Sequence, residues 1–103
     1  MRRIRPSLSF EVSLTNLLLF GEEKFGPRIA DQKRVRFFSV IETNIREFPG
    51  IGRFDEKLGV YVFHVSGTPF VLLYEFDDDE LRLILTVHQR ADRSQLDLTK
   101  VVW

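Results

Sequence analysis

The sequence predicts an α+β domain in which an N-terminal helical hairpin packs on a small, mainly antiparallel β-sheet. Two observations carry this. Apolar residues recur at helical spacing through the first half of the chain, with one interruption at Gly26-Pro27. From Leu58 onward the period changes to two, in three segments separated by turn residues. A chain of 103 residues is expected to form one domain, residues 1–103, with a modest core.

The opening Arg2-Arg3-Ile4-Arg5-Pro6 suits an edge strand or the approach to a helix, since Pro6 has no N–H to donate. Ser7 or Ser9 is placed to cap the first helix, and Glu11 lies near its positive end in either case. Phe10, Leu14, Leu17, Leu18, Gly21 and Phe25 then mark its buried stripe. Gly26 ends it and Pro27 begins a second helix, expected to run to about Phe48. At about 100° per residue, Ala30, Phe37, Phe38, Ile41, Ile45 and Phe48 share one face of that helix, with Arg34 at its edge. Pro49-Gly50-Ile51-Gly52 stops it.

Strands are expected over Leu58–Val65, Phe70–Phe76 and Glu80–His88. A two-residue turn at Asp78-Asp79 sets Phe76 opposite Leu81, Tyr74 opposite Leu83, Leu72 opposite Leu85 and Phe70 opposite Val87. The same register pairs Glu75 with Arg82 on the other face. A loop at 66–69 adds Tyr61, Phe63 and Val65 to the apolar face. The outer face then holds Val60, Val62, Val71, Leu73 and Ile84, edged by His64, Thr86 and His88. That is too apolar for a freely solvated face. The C-terminal Leu96, Leu98, Val101, Val102 and Trp103 cover it, a partner does, or it is simply exposed.

Composition narrows the function classes. Net charge is zero, against a general nucleic-acid binder, although residues 1–51 carry nine basic and six acidic side chains and 52–103 the reverse balance. There is no cysteine for disulfides or thiolate metal sites. No apolar run approaches the roughly 20 residues of a membrane span. The basic N-terminus is not followed by a signal-peptide core, so the expected location is cytoplasmic.

Four stretches carry a family resemblance over about residues 3–90. Glu22-Glu23-Lys24-Phe25-Gly26 and Glu47-Phe48-Pro49-Gly50-Ile51-Gly52-Arg53 end the two helices. Gly67-Thr68-Pro69-Phe70-Val71-Leu72-Leu73-Tyr74-Glu75-Phe76 and Leu83-Ile84-Leu85-Thr86-Val87-His88-Gln89-Arg90 flank the acidic turn. In order and spacing this resembles the RelE/ParE toxin superfamily, and within it the ParE-like, or plasmid stabilisation, branch. RelE-like members resemble one another in cutting messenger RNA with basic residues on the sheet and often a C-terminal tyrosine. Here the strand Leu58-Gly59-Val60-Tyr61-Val62-Phe63-His64-Val65 has no Lys or Arg, and the tail after His88 has no Tyr. Those departures favour ParE.

The resemblance implies a toxin of a type II toxin–antitoxin system, neutralised by a ParD-like antitoxin and inhibiting DNA gyrase by binding rather than by catalysis. No catalytic residue, cofactor or metal is expected, and a toxin–antitoxin heterotetramer is one assembly it allows. A RelE-like ribosome-dependent ribonuclease and a non-toxic binding scaffold are the alternative readings. His88, Arg90 and Arg93 form the target-contact candidate, a small cationic cluster after the last strand. Val60, Val62, Val71, Leu73 and Ile84 form the antitoxin-contact candidate, with the helical hairpin as the other choice; Leu73→Asp is then expected to weaken antitoxin binding and spare the fold. His64 and His88 make a poor metal pair without carboxylates nearby. Asp77-Asp78-Asp79-Glu80 reads as a tight turn, and Gly50-Ile51-Gly52 lacks the Lys-Ser/Thr of a phosphate loop.

Overall fold

The computed structural model describes residues 1–103. The chain runs β1 (Arg3–Pro6), α1 (Leu8–Phe25), α2 (Pro27–Val40), β2 (Arg53–Asp55), β3 (Val60–His64), β4 (Phe70–Phe76) and β5 (Glu80–His88). The three expected strands form the centre of a five-stranded sheet ordered β1-β5-β4-β3-β2. β1 lies parallel to β5, and the remaining pairs are antiparallel. Three residues of β2 are too few to show alternation, so this strand was not anticipated. No helix is long and apolar enough to cross a membrane.

Ser7 caps α1, its Oγ accepting from Phe10 N at 2.8 Å. Gly26 adopts φ 89°, which an L side chain disfavours, and lets Pro27 start α2 immediately. α2 does not continue as an α-helix to Phe48. A π-helical turn at Ile41–Ile45 follows Val40, with Arg46 N donating to Ile41 O at 2.9 Å. The wider turn keeps Ile41 and Ile45 wholly buried and changes the phase beyond them. Phe48, expected in the core, is therefore 62% exposed, and Val40 is buried. Phe25, at the hairpin corner beyond the reach of the sheet, is also exposed.

The register holds at the acidic turn, where Phe76 faces Leu81, Tyr74 faces Leu83 and Glu75 faces Arg82. It then shifts. An irregularity at Leu73/Tyr74 makes Leu73 pair with Leu85, leaving Ile84 as the extra residue of a β-bulge. Beyond it every β5 side chain changes face. Leu85 and Val87, expected over the helices, pack on the outer side. Thr86 and His88, expected outside, turn toward the helices: Thr86 pairs with Leu72 and His88 with Phe70. Thr86 N is accepted by Ser13 Oγ, and the buried Thr86 Oγ1 has no partner. The bulge is held by Ser7, whose hydroxyl donates to Ile84 O at 2.7 Å while capping α1.

Two apolar layers result. Phe10, Leu14, Phe37, Ile41 and Ile45 meet Val65, Phe70, Leu72, Tyr74, Leu81 and Leu83 on the helix side. Tyr74 also reaches the helix stop, donating to Pro49 O and accepting from Gly52 N. On the outer side, Val60, Val62, Val71, Leu73, Ile84 and Val87 are covered by Leu96, Leu98 and Val101 of the tail. The tail is pinned where Ser9 N donates to Val102 O and Ser9 Oγ accepts from Val102 N. Arg5 stacks on Trp103, its guanidinium 5.1 Å from the ring centre.

Candidate functional site

The outer-face residues proposed for an antitoxin stand together, as the period-two alternation requires, but not in the open. Val60, Val62, Val71, Leu73 and Ile84 are each 0–8% exposed, sealed by the chain's own tail. Of the two expected covers, the structure has the C-terminal segment in place. The expectation for Leu73→Asp is corrected by this burial. A carboxylate at a fully buried position destabilises the fold itself.

His88, Arg90 and Arg93 are near in sequence but do not converge. His88 faces a groove under the helices, beside Leu17, Lys33, Pro69 and Phe70. Its Nδ1 accepts from Arg90 N at 3.1 Å, which puts the proton of the neutral ring on Nε2. Arg93 lies across the sheet in a depression with Asp55, Lys57 and Asp92. His64 pairs with Val71 on the outer face, so the two histidines occupy opposite faces. The acidic turn is a closed network: Arg82 holds Glu75, Asp77 and Glu80 at 2.8–2.9 Å. The Arg82 guanidinium, then the N–H groups of Glu80 and Asp79, pull the Asp77 carboxyl down to about 2.

An open apolar surface lies on the helical hairpin. Phe20, Phe25 and Ile29 are 52%, 68% and 39% exposed around the corner between α1 and α2. They border a cleft of about 100 Å³ floored by Leu17, Leu18, Ala30 and Phe70. A wider cleft of about 570 Å³ opens on the β1 side, with Glu11, Arg34 and Glu42 among its lining, and Leu18 borders both. The surface is suited to receiving a chain segment that supplies apolar side chains.

Residues 4–93 match the model of a family described as the ParE toxin of the type II toxin–antitoxin system, parDE. The chain belongs to the ParE toxin family. Among solved structures it is similar to one titled "Chromosomal ParDE TA system from P. aeruginosa", with a TM-score of 0.68 and 18% identity over 85% of this chain and 96% of that one. At that identity the likeness speaks for the fold. No curated protein matches the chain in sequence.

Most of this exposed apolar surface is not marked by the helical pattern. Phe20 and Ile29 lie off the core stripes, and the stripe spacing places Phe25 inward. Three large apolar residues clustered about a Gly-Pro corner were the available signal.

Proposed function

We propose that this chain is a toxin that acts in the cytoplasm by binding and inhibiting DNA gyrase, and that a ParD-type antitoxin neutralises it by seating a segment along the helical hairpin. The observation that carries the reading is the family match over residues 4–93, which assigns a toxin of the parDE type. The exposed Phe20, Phe25 and Ile29 supply the physical support for an antitoxin contact there. A segment ordering on this strip gains apolar burial without displacing anything, whereas the outer face must first lose its tail. His88 and Arg90 remain the proposed target contacts.

A supercoiling assay with purified gyrase, repeated with the antitoxin, tests the proposal. Inhibition that the antitoxin reverses is expected. Unimpaired supercoiling by folded toxin, together with codon-phased message cleavage, would replace it with the ribonuclease reading.

A further inference from the structure

The two ends of the sheet use their charged side chains differently, although the chain as a whole is neutral. At the β4–β5 turn, Arg3, Arg5 and Arg82 are paired with Glu75, Asp77 and Glu80. The β3–β4 loop lies at the other end of β4, about 20 Å away for seven residues of strand. Its four successive carbonyls each accept from a different group. Arg36 Nε donates to Ser66 O at 3.1 Å and Lys33 Nζ to Gly67 O at 2.7 Å. His64 Nε2 meets Thr68 O at 2.8 Å, and Gln89 N donates to Pro69 O at 2.7 Å.

The loop is thus a rack that fixes cationic side chains while leaving most of their donors free. Arg36 spends only Nε and keeps its Nη fork. Lys33 keeps two N–H groups, and His88 presents Nε2. Arg90 follows directly. Lys33, Arg36 and Arg90 are among the cations without an ion pair, and Arg3, Arg5, Arg34 and Arg82 are paired.

From this pole we infer that the chain grips a nucleic-acid backbone, with Lys33, Arg36, His88 and Arg90 contacting phosphates. An acidic peptide would have to bring several carboxylates into step with donors spread from α2 to the end of β5. A polyanion already carries a charge every few ångströms. Resting on the gyrase reading, the inference adds that the toxin touches the DNA on which gyrase works. It also supplies a route to neutralisation. Lys33 and His88 line the same groove as Leu17 and Phe70, so an antitoxin segment seated there covers part of the phosphate site.

The test is fluorescence anisotropy with the full chain and a labelled duplex of about 20 base pairs, between about 50 and about 200 mM salt. Binding that weakens with salt is expected. The double variant Lys33→Glu/Arg36→Glu should bind at least about tenfold more weakly, with the log–log salt slope reduced by about 2. Lys33→Gln/Arg36→Gln, which can keep a hydrogen bond to the loop, should also lose slope with the fold undisturbed. Arg3→Glu, at the β4–β5 end of the sheet, should bind as the wild type does. Duplex binding that is absent, insensitive to salt, or equal in the glutamine variant overturns the inference. So does polyglutamate that binds while the duplex does not, which would mark an acidic-peptide surface. Gyrase inhibition without duplex binding overturns this inference alone. Duplex binding that fits these expectations without gyrase inhibition supports it and removes gyrase as the target.

Discussion

One hydroxyl joins the helical layer to the bulged strand, and removing it tests the account of both. Ser7 Oγ accepts from Phe10 N at 2.8 Å and donates to Ile84 O at 2.7 Å, in a residue with no exposed surface. Ser7→Ala removes an N-cap, worth about 1 kcal/mol. It also leaves the Ile84 carbonyl buried without its hydroxyl donor, at a cost of about 1–3 kcal/mol. The sum, about 2–4 kcal/mol, is a large part of the roughly 5–15 kcal/mol available to a domain. At about 4–8 °C per kcal/mol for a chain near this size, the melting temperature should fall by roughly 8–32 °C. Ser7→Gly separates the two effects, because glycine is only a few tenths of a kcal/mol poorer as a cap. It should retain most of the loss, since Ile84 O is still deserted. Thermal and urea unfolding of both variants provide the measurement. An alanine variant within about 0.5 kcal/mol of wild type would refute the role given to Ser7. A stable glycine variant beside an unstable alanine one would confine the effect to the cap.

Three other outcomes follow from the same geometry. Burial pushes the Tyr74 phenol up to about 12, so the unfolded chain loses this proton first. Stability is therefore whole below pH 10 and falls as pH rises from about 10 to about 12. Urea titrations should show that alkaline fall reduced in Tyr74→Phe; an unchanged slope would assign it to another group. Removing residues 97–103 strips Leu98 and Val101 from the outer layer and should cost about 2–4 kcal/mol and raise binding of an apolar dye. An unchanged dye signal would mean the tail does not seal that face. Phe25→Asp, at a 68% exposed site, should leave the melting temperature nearly unchanged and weaken antitoxin binding by about tenfold or more. Unaltered affinity in calorimetry would take the antitoxin off the hairpin corner.

The elements that could be read from the sequence were those specified by neighbours along the chain. The Gly26-Pro27 corner, the 66–69 loop and the Asp77–Glu80 turn each carry their instruction locally, and the pairing of Glu75 with Arg82 followed from counting outward from one turn. Counting fails where a distant group intervenes. Nothing within Leu83-Ile84-Leu85-Thr86 announces a bulge, because either register places apolar side chains on both faces. The bulge carbonyl is satisfied by Ser7, 77 residues away in sequence. The π-turn at Ile41–Ile45 is a similar case, showing only in where Phe48 ends up.

These non-local features decide which surfaces are open, and hence where function can reside. A regular β5 would have left Thr86 and His88 on the outer face and carried Leu85 and Val87 under the helices. The bulge instead supplies the outer layer with Leu85 and Val87, a larger apolar surface for the tail to seal. In the same stroke it swings His88 under the helices beside Lys33. The outer face is covered by the tail, and cationic side chains of α2 and the end of β5 are gathered about the β3–β4 loop. Family membership was legible because it rests on the order and spacing of elements. The exposure of the candidate surfaces was not, because a single extra residue in one strand exchanges the faces on which every later side chain lies.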